Sequence, residues 1–317
     1  MRVELSDEAV EYGRAVAGAL RAAGGDELVR RAEGGLAHRE SVIEPVLEGV
    51  GAWELEPLRD AGELEAAAAL CRAVGYRAVP YPVAERLARP DGLEVDGLVL
   101  VAERDPVAAV AGLSSRWAAV TIDGAFGEVV VPPSDSLPRE SAFVTPLEVR
   151  PAGVALPDAD RYVALALVLP CWTLLGMLDR ALDLARAHVL VREQFGRPLA
   201  EFQSVRFQLT DAEVERRGVE MLARYALWSL AAGDRSAVDD ALALRLAALE
   251  AADLVFRVAH QLHGALGFCD ESFLSWLSRY SLPLRRLPYP HSATEDLLSR
   301  RIGRRGITGL FSEPPGA

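Results

Sequence analysis

Arg192-Glu193-Gln194-Phe195-Gly196-Arg197-Pro198-Leu199, continued by Ala200-Glu201-Phe202-Gln203, interrupts the longest helical pattern in the chain. Upstream that pattern reaches back to about Asp158, and downstream it resumes near Ser204. The Gly196-x-Pro198 break predicts that one helix ends here and the next begins just after it. Arg192, Gln194 and Gln203 then gather one arginine and two glutamines around a tight turn. A guanidinium fork suits two phosphate oxygens at once, and glutamine can hold amide-like edges and riboses. A helix–loop–helix corner with solvated polar side chains has the same pattern, so the residues alone leave both readings open.

A second stretch, Gln261-Leu262-His263-Gly264-Ala265-Leu266-Gly267-Phe268, has small residues at 264, 265 and 267. They would let a ligand approach the backbone closely. A helix C-terminus capped at Gly267 accounts for the same residues, and the two readings are compatible.

Working outward, three regions separate by pattern. From Ser6 to about Ala78 the chain reads as short helices, with Ser6 as an N-cap and Asp7 and Glu8 in the first turn. Gly24-Gly25, Gly34-Gly35 and Gly49 to Gly51 punctuate them, and Glu63 to Arg72 is alanine-rich and helical. From Leu98 to Arg150, Val99, Val101, Val120, Ile122 and Val129-Val130-Val131 form β-branched bursts. Turn signals such as Pro132-Pro133 and Ser134-Asp135-Ser136 separate them, which predicts a small antiparallel sheet or partial barrel. From Asp158 onward helices are expected near 158–193, 204–232, 235–265, 271–281 and 291–303, with a break from Pro283 to Pro290. Long helices with short connections imply antiparallel neighbours in a bundle. Tyr162 to Leu178 is nearly all apolar yet too short to span a bilayer, so it is expected as a core helix. The C-terminal Glu313-Pro314-Pro315-Gly316-Ala317 reads as a short tail.

Composition narrows the function. The chain of 317 residues is 50% hydrophobic and 25% charged, the balance of a globular protein with a sizeable core. Thirty-four basic residues against 46 acidic ones leave a net charge of −12, which argues against nucleic-acid binding. Every one of those bases is arginine, which excludes a Schiff-base lysine and a phosphate-loop Gly-Lys pair. Cys71, Cys171 and Cys269 are far apart and without metal-ligand spacing, so they are expected as buried apolar residues in a reducing cytosol. The first residues, MRVELSDEAV, have no apolar signal-peptide core, and no membrane association is expected.

Together the two stretches resemble the acyl-CoA dehydrogenase family, which carries R-x-x-F-G-x-P-L-x-x-F-Q and a later Q-x-x-G-G-x-G-F. The first is matched in full, and the second departs once, with Ala265 for a glycine. The resemblance implies a mainly α fold with a small middle β domain. An N-terminal helical domain would cover 1–95, an abbreviated β domain 96–152, and a C-terminal four-helix bundle 153–317. It also implies FAD between subunits, with these motifs serving the ADP half of a flavin held mainly by the neighbouring chain. Arg192 would then face the pyrophosphate. Gln194, Phe195 and Gln203 would surround the adenosine end, with Gln261 and the Gly264-Ala265 backbone nearby.

The family's catalytic base does not carry over. Its usual glutamate opens a segment resembling E-G-T-x-E-I-L, and this chain has Ser292-Ala293-Thr294-Glu295-Asp296-Leu297-Leu298, with Ser292 at the base position. The other family seat, on the helix before R-x-x-F-G, falls on Ala166. Neither can take a proton near working pH. Asp158 reads as a helix cap, Asp160 as its neighbour, and Glu295 and Asp296 as first-turn acids. His291 beside Ser292 has no orienting third group. His260 and His263 at i and i+3 have no nearby carboxylate to complete a metal site. The flavin-walling segment of the middle domain is missing too, and Trp117 reads as an ordinary strand aromatic.

This combination matches short, base-less subunits that pair with a longer catalytic acyl-CoA dehydrogenase subunit in an α2β2 heterotetramer, typical of bacterial steroid degradation. The expectation is a half-site subunit with no catalytic residue of its own. It would share FAD with its partner, act on a bulky acyl-CoA and pass electrons to an electron-transfer flavoprotein. A self-sufficient homomer with a relocated base and a cofactor-free assembly scaffold are the alternatives.

Overall fold

A computed structural model of the chain describes residues 4–33, 36–130, 143–153 and 155–305. The expected features at Gly34-Gly35, Val131, Pro132-Pro133, Ser134-Asp135-Ser136 and the C-terminal tail lie outside them.

Local chemistry sets the N-terminal helices. In α1 (Asp7–Ala22) the Ser6 side chain accepts from the Ala9 N–H, as its sequence predicts. Helices α2 (Asp26–Glu33) and α3 (Leu36–Glu48) follow. In α4 (Ala61–Tyr76) the Asp60 carboxylate accepts from the N–H groups of Gly62 and Glu63. The alanine-rich faces of α4 bury Leu64, Ala67, Ala68, Leu70 and Cys71. A short α5 (Val83–Leu87) leads into the sheet.

Strands β1 (Gly97–Leu100), β3 (Trp117–Val120), β4 (Phe126–Val130) and β6 (Glu148–Pro151) form one sheet in the order β1-β3-β4-β6. Strands β2 (Val107–Ala108) and β5 (Thr145–Pro146) pair beside it. The expected all-antiparallel sheet is corrected here. Strand β1 runs parallel to β3, Gly97 opposite Trp117 and Leu100 opposite Val120. The long connection between β1 and β3 makes that geometry accessible, since a parallel pair needs a crossover rather than a tight turn. Alternation along the strands splits the sheet between two cores. Leu98, Leu100, Ala118 and Val120 join the main helical core, whereas Val99, Val101, Trp117 and Ala119 close a smaller one with Val110 and Leu147. Trp117 is thus the ordinary strand aromatic that was expected, and it is buried.

Helix α6 (Ala159–Val191) is the axis of the molecule. It packs on α4, on α7 (Gln203–Ala231), on α8 (Ala237–His263) and on α9 (Phe273–Arg286). Helix α10 (His291–Arg305) lies along α8. The most apolar window of α6 has a mean hydropathy of 1.7 and is 78% buried, so its greasiness is spent on the core, as expected. Asp158 precedes the helix in a left-handed conformation but makes no side-chain cap bond, contrary to its reading as a cap. Between α4, α6 and α7 runs an ion network. Arg72 grips Asp179 through Nε (2.7 Å) and Nη2 (3.2 Å) and reaches Glu220 through Nη1 (2.9 Å). Arg216 closes it on Asp179, Glu213 and Glu220.

The expected break at Pro283 is a second correction, because α9 continues through it to Arg286. Proline removes one helical hydrogen bond, but the last turn is held from outside. The buried Arg245 of α8 donates to the carbonyls of Leu284 (3.2 Å), Leu287 (2.7 Å) and Tyr289 (2.7 Å), acceptors left free where a helix ends. Cys71 and Cys171 are buried as expected, whereas Cys269 is exposed.

Candidate functional site

The tight turn expected after α6 is a miniature hairpin. β7 (Glu193–Gln194) pairs antiparallel with β8 (Arg197–Pro198), and the Leu199 N–H donates to the Arg192 carbonyl (2.8 Å). Phe195 (φ 54°) and Gly196 (φ 77°) form its two-residue tip with both φ values positive, the requirement of a tight hairpin turn. Phe195 stands edge-on to Phe202 (6.2 Å between centroids), and Arg197 lies over the Phe202 ring (4.2 Å). The hairpin therefore folds back on the start of α7.

Across from it, α8 stops at Gly264, whose φ of 60° and ψ of −142° are open essentially to glycine alone. Gly264, not Gly267, is the cap, which corrects the expectation. Gly267 is required for space instead. A β-carbon there would come within 3.0 Å of His263 Cβ and 3.1 Å of His260 Nδ1. Because α6 and α8 pack side by side, the hairpin and the end of α8 face each other across an open groove of ≈ 540 Å³.

Five of the seven expected cofactor residues line that groove: Arg192, Gln194, Gln261, Gly264 and Ala265. Phe195 and Gln203 do not. Phe195 projects from the hairpin tip, and Gln203 is exposed at the first position of α7. Three groove residues lie outside both motif stretches, namely His188, Val205 and Gln208. His188 lies one turn before Arg192 and Gln208 one turn after Ser204, so helical periodicity carried forward from the motif points to both.

Arg192 forms no ion pair or side-chain hydrogen bond among the described residues. His188 stacks on His263 (4.5 Å, planes 19° apart). Burial first, then His263 and Arg192, lower the His188 pKa below the ordinary imidazole value. Burial also lowers His263, against the bond its Nδ1–H donates to the Ala259 carbonyl (2.8 Å). At neutral pH the groove thus presents one free guanidinium, two neutral imidazoles and the amides of Gln194, Gln208 and Gln261. That donor set fits a phosphate-bearing nucleotide cofactor. Its rim is apolar and open: Phe195 is 91% exposed, Val191 78%, Phe268 71% and Leu190 64%.

Residues 168–286 match the acyl-CoA dehydrogenase C-terminal domain. One chain of the ChsE4–ChsE5 complex from Mycobacterium tuberculosis superposes with a TM-score of 0.76 at 18% identity, covering 97% of this chain and 100% of that one. A chain of the Tcur3481–Tcur3483 steroid acyl-CoA dehydrogenase (G363A variant) superposes at 0.78 and 19% identity, covering 95% and 99%. The fold is that of the acyl-CoA dehydrogenases. Among curated relatives, acyl-CoA dehydrogenase FadE28 of Mycobacterium tuberculosis is 33% identical over 123 residues, 36% of each chain. The 3-sulfinopropanoyl-CoA desulfinase of Paraburkholderia xenovorans is 38% identical over 96 residues, 30% of this chain and 24% of that protein. The matched part therefore spans about a third or less of these relatives' length.

The resemblance puts the family's base at two positions of this chain, Ser292 and Ala166. Ser292 is exposed in the first turn of α10. His291 Nε2 meets Glu250 Oε1 at 3.2 Å rather than activating the serine. Ala166 lines a cavity bounded by α5, β1, β2, α6 and α9. The carboxyl group in that lining is Glu85, from α5. Glu85 makes no ion pair among the described residues, and burial raises its pKa against a bond to its own backbone. Nothing in its sequence neighbourhood marks it, because the contact depends on α5 packing against α6.

Proposed function

We propose that this chain is a half-site subunit of a heteromeric, FAD-dependent acyl-CoA dehydrogenase, with a longer partner subunit supplying the catalytic glutamate. The observation that carries the reading is the groove. Its unpaired Arg192, its glutamine amides and its exposed apolar rim make a polar site with one wall missing, while Ala166 and Ser292 occupy both base seats.

In this reading Arg192 clamps the cofactor pyrophosphate, Gln194 and Gln261 hold its adenosine side, and the open backbone at Gly264 and Ala265 lets it approach. Phe195 and Gln203, turned out of the groove, contact the partner subunit and its share of the cofactor. His188 and His263, held neutral, add hydrogen-bonding capacity without adding charge. Flavin bound there would supply the hydride acceptor for α,β-dehydrogenation of an acyl-CoA thioester. The likeness to chains of the ChsE4–ChsE5 complex and the Tcur3481–Tcur3483 steroid acyl-CoA dehydrogenase supports a heteromeric assembly, which we take to be α2β2, and a bulky, steroid-derived acyl group. Onward transfer to an electron-transfer flavoprotein and a cytoplasmic location complete the proposal.

A second reading, a self-sufficient homomer, has one observation in its favour: Glu85 is a carboxyl group in the cavity that holds Ala166. The deciding experiment is the visible flavin spectrum of the chain purified alone and together with its partner. Flavin bound only in the co-purified complex supports the half-site. Stoichiometric flavin and dehydrogenase activity in the lone chain, abolished by Glu85→Gln, would replace it with the homomer.

A further inference from the structure

A second cavity is walled by α3, α4, α5, α6 and α9. It shares Ala84, Glu85, Ala109, Pro283 and Leu284 with the cavity at Ala166, and no residue with the Arg192 groove. Most of its lining is apolar, including Val74, Val79, Met177 and Leu284. Two polar side chains in it are left wanting. Arg39 is completely buried. One nitrogen, Nη2, donates to the Ala111 carbonyl, and Nε and Nη1 have no partner. Tyr280 Oη is likewise buried without a partner. Both groups pack against the ring of Phe143. The Arg39 guanidinium lies 3.5 Å from the Phe143 ring centroid, and Tyr280 stacks on Phe143 at 5.7 Å with the planes 4° apart.

Burial lowers the Arg39 pKa to about 9, so the group remains charged at neutral pH. Glu33 and Glu40 stand near enough to favour that charge, yet neither forms an ion pair with it among the described residues. Glu40 instead accepts from the backbone N–H and the hydroxyl of Ser114. Buried donors with no acceptor are costly, and folded proteins resolve them with a ligand or water. An apolar cavity with a few convergent donors is the general form of a small-molecule site.

We propose that this cavity binds an apolar molecule ending in a carboxylate, which accepts from Arg39 and Tyr280 while the apolar body lies along Val74, Val79, Met177 and Leu284. Glu85 stands at the wall shared by both cavities, and burial raises its pKa, which disfavours a competing negative charge there. The ligand is either a free long-chain acid or the far end of an acyl-CoA that carries a second carboxylate. The assignment does not depend on the cofactor role of the groove, since the two sites have no residue in common.

The test is calorimetric titration of the full chain, with its partner if they co-purify, using dodecanoate, methyl dodecanoate and the mono-CoA thioester of dodecanedioic acid. The acid is expected to bind at least tenfold more tightly than the ester, and Arg39→Met to abolish that preference. Tyr280→Phe removes one hydroxyl without changing shape, so it tests the same point if the arginine variant does not fold. It should weaken the acid about threefold or more and leave the ester unchanged. Binding of the acid but not the thioester identifies a free ligand, and binding of both with the thioester the tighter identifies the end of an acyl chain. Equal affinity for acid and ester, or an acid preference untouched by both variants, would overturn the assignment.

Discussion

Gly75 on α4 and Gly176 on α6 cross with almost no space between the helices. A β-carbon on Gly75 would lie 1.9 Å from the Thr173 carbonyl oxygen, and one on Gly176 would lie 2.0 Å from that of Arg72. The obstacle in each case is backbone, which cannot rotate aside, so the crossing fixes the separation of the N-terminal helices from the central axis.

Gly176→Ala should therefore destabilise the fold by about 3 kcal/mol or more, the cost of overpacking against immovable atoms. Gly218 on α7 is the control, since a β-carbon there meets nothing within 4 Å. Gly218→Ala should stabilise by about 0.5–1 kcal/mol through helix propensity alone. Urea midpoints of the two variants should move in opposite directions.

Arg192→Ala should lower flavin occupancy of the assembled complex roughly 10- to 100-fold, as expected for losing a charge-assisted, two-pronged contact worth about 1.5–3 kcal/mol. Arg192→Lys should recover only part of that, because an ammonium cannot bridge two oxygens in a plane. Flavin absorbance per mole of purified complex measures both.

Ser292→Ala should leave dehydrogenase turnover of the complex within about twofold of the parent, since an isolated hydroxyl offers no usable base near neutral pH. A steady-state assay with the partner present checks this. A loss of several orders of magnitude would place Ser292 in the chemistry.

Acid should weaken the contact of α4, α6 and α7 through Glu220. Burial opposes ionisation of Glu220, but Arg72 and then Arg216 override it and hold the carboxylate at about 2. A carboxylate depressed in the folded state stabilises above its unfolded pKa and loses that contribution as pH falls through the folded value. The window is thus from roughly pH 4.5 down to about 2. About 2–3 kcal/mol is at stake for Glu220 alone. Thermal melts across that range should fall steeply for the parent and more gently for Glu220→Gln, which starts from a lower value.

How much of this was legible in the chain follows the reach of each interaction. Helix ends and the motif segments depend on neighbours within a turn, so α6, α7, α8 and α10 lie within two residues of their expected bounds. The gathering of Arg192, Gln194, Gln261 and Gly264 followed from motif resemblance rather than local physics, because no periodicity links residues seventy apart. What escaped is nonlocal or conformationally unusual. The parallel pairing of β1 with β3 is set by a crossover, not by alternation. The continuation of α9 past Pro283 depends on Arg245, nearly forty residues upstream. The Phe195–Gly196 hairpin puts an aromatic residue at positive φ, where sequence rules expect glycine or asparagine. Glu85 and Arg39 gain their significance only from what packs against them.

The exposed rim of the groove also bears on the life of an unassembled copy. Phe195, Val191, Phe268 and Leu190 are exposed apolar side chains of the kind that chaperones hold and that drive self-association. On the proposed half-site reading, a cell making this chain in excess would accumulate sticky orphans, so selection should favour matched synthesis of both partners and rapid proteolysis of the surplus. The same feature makes co-expression, rather than refolding from isolated subunits, the sound route to material for study.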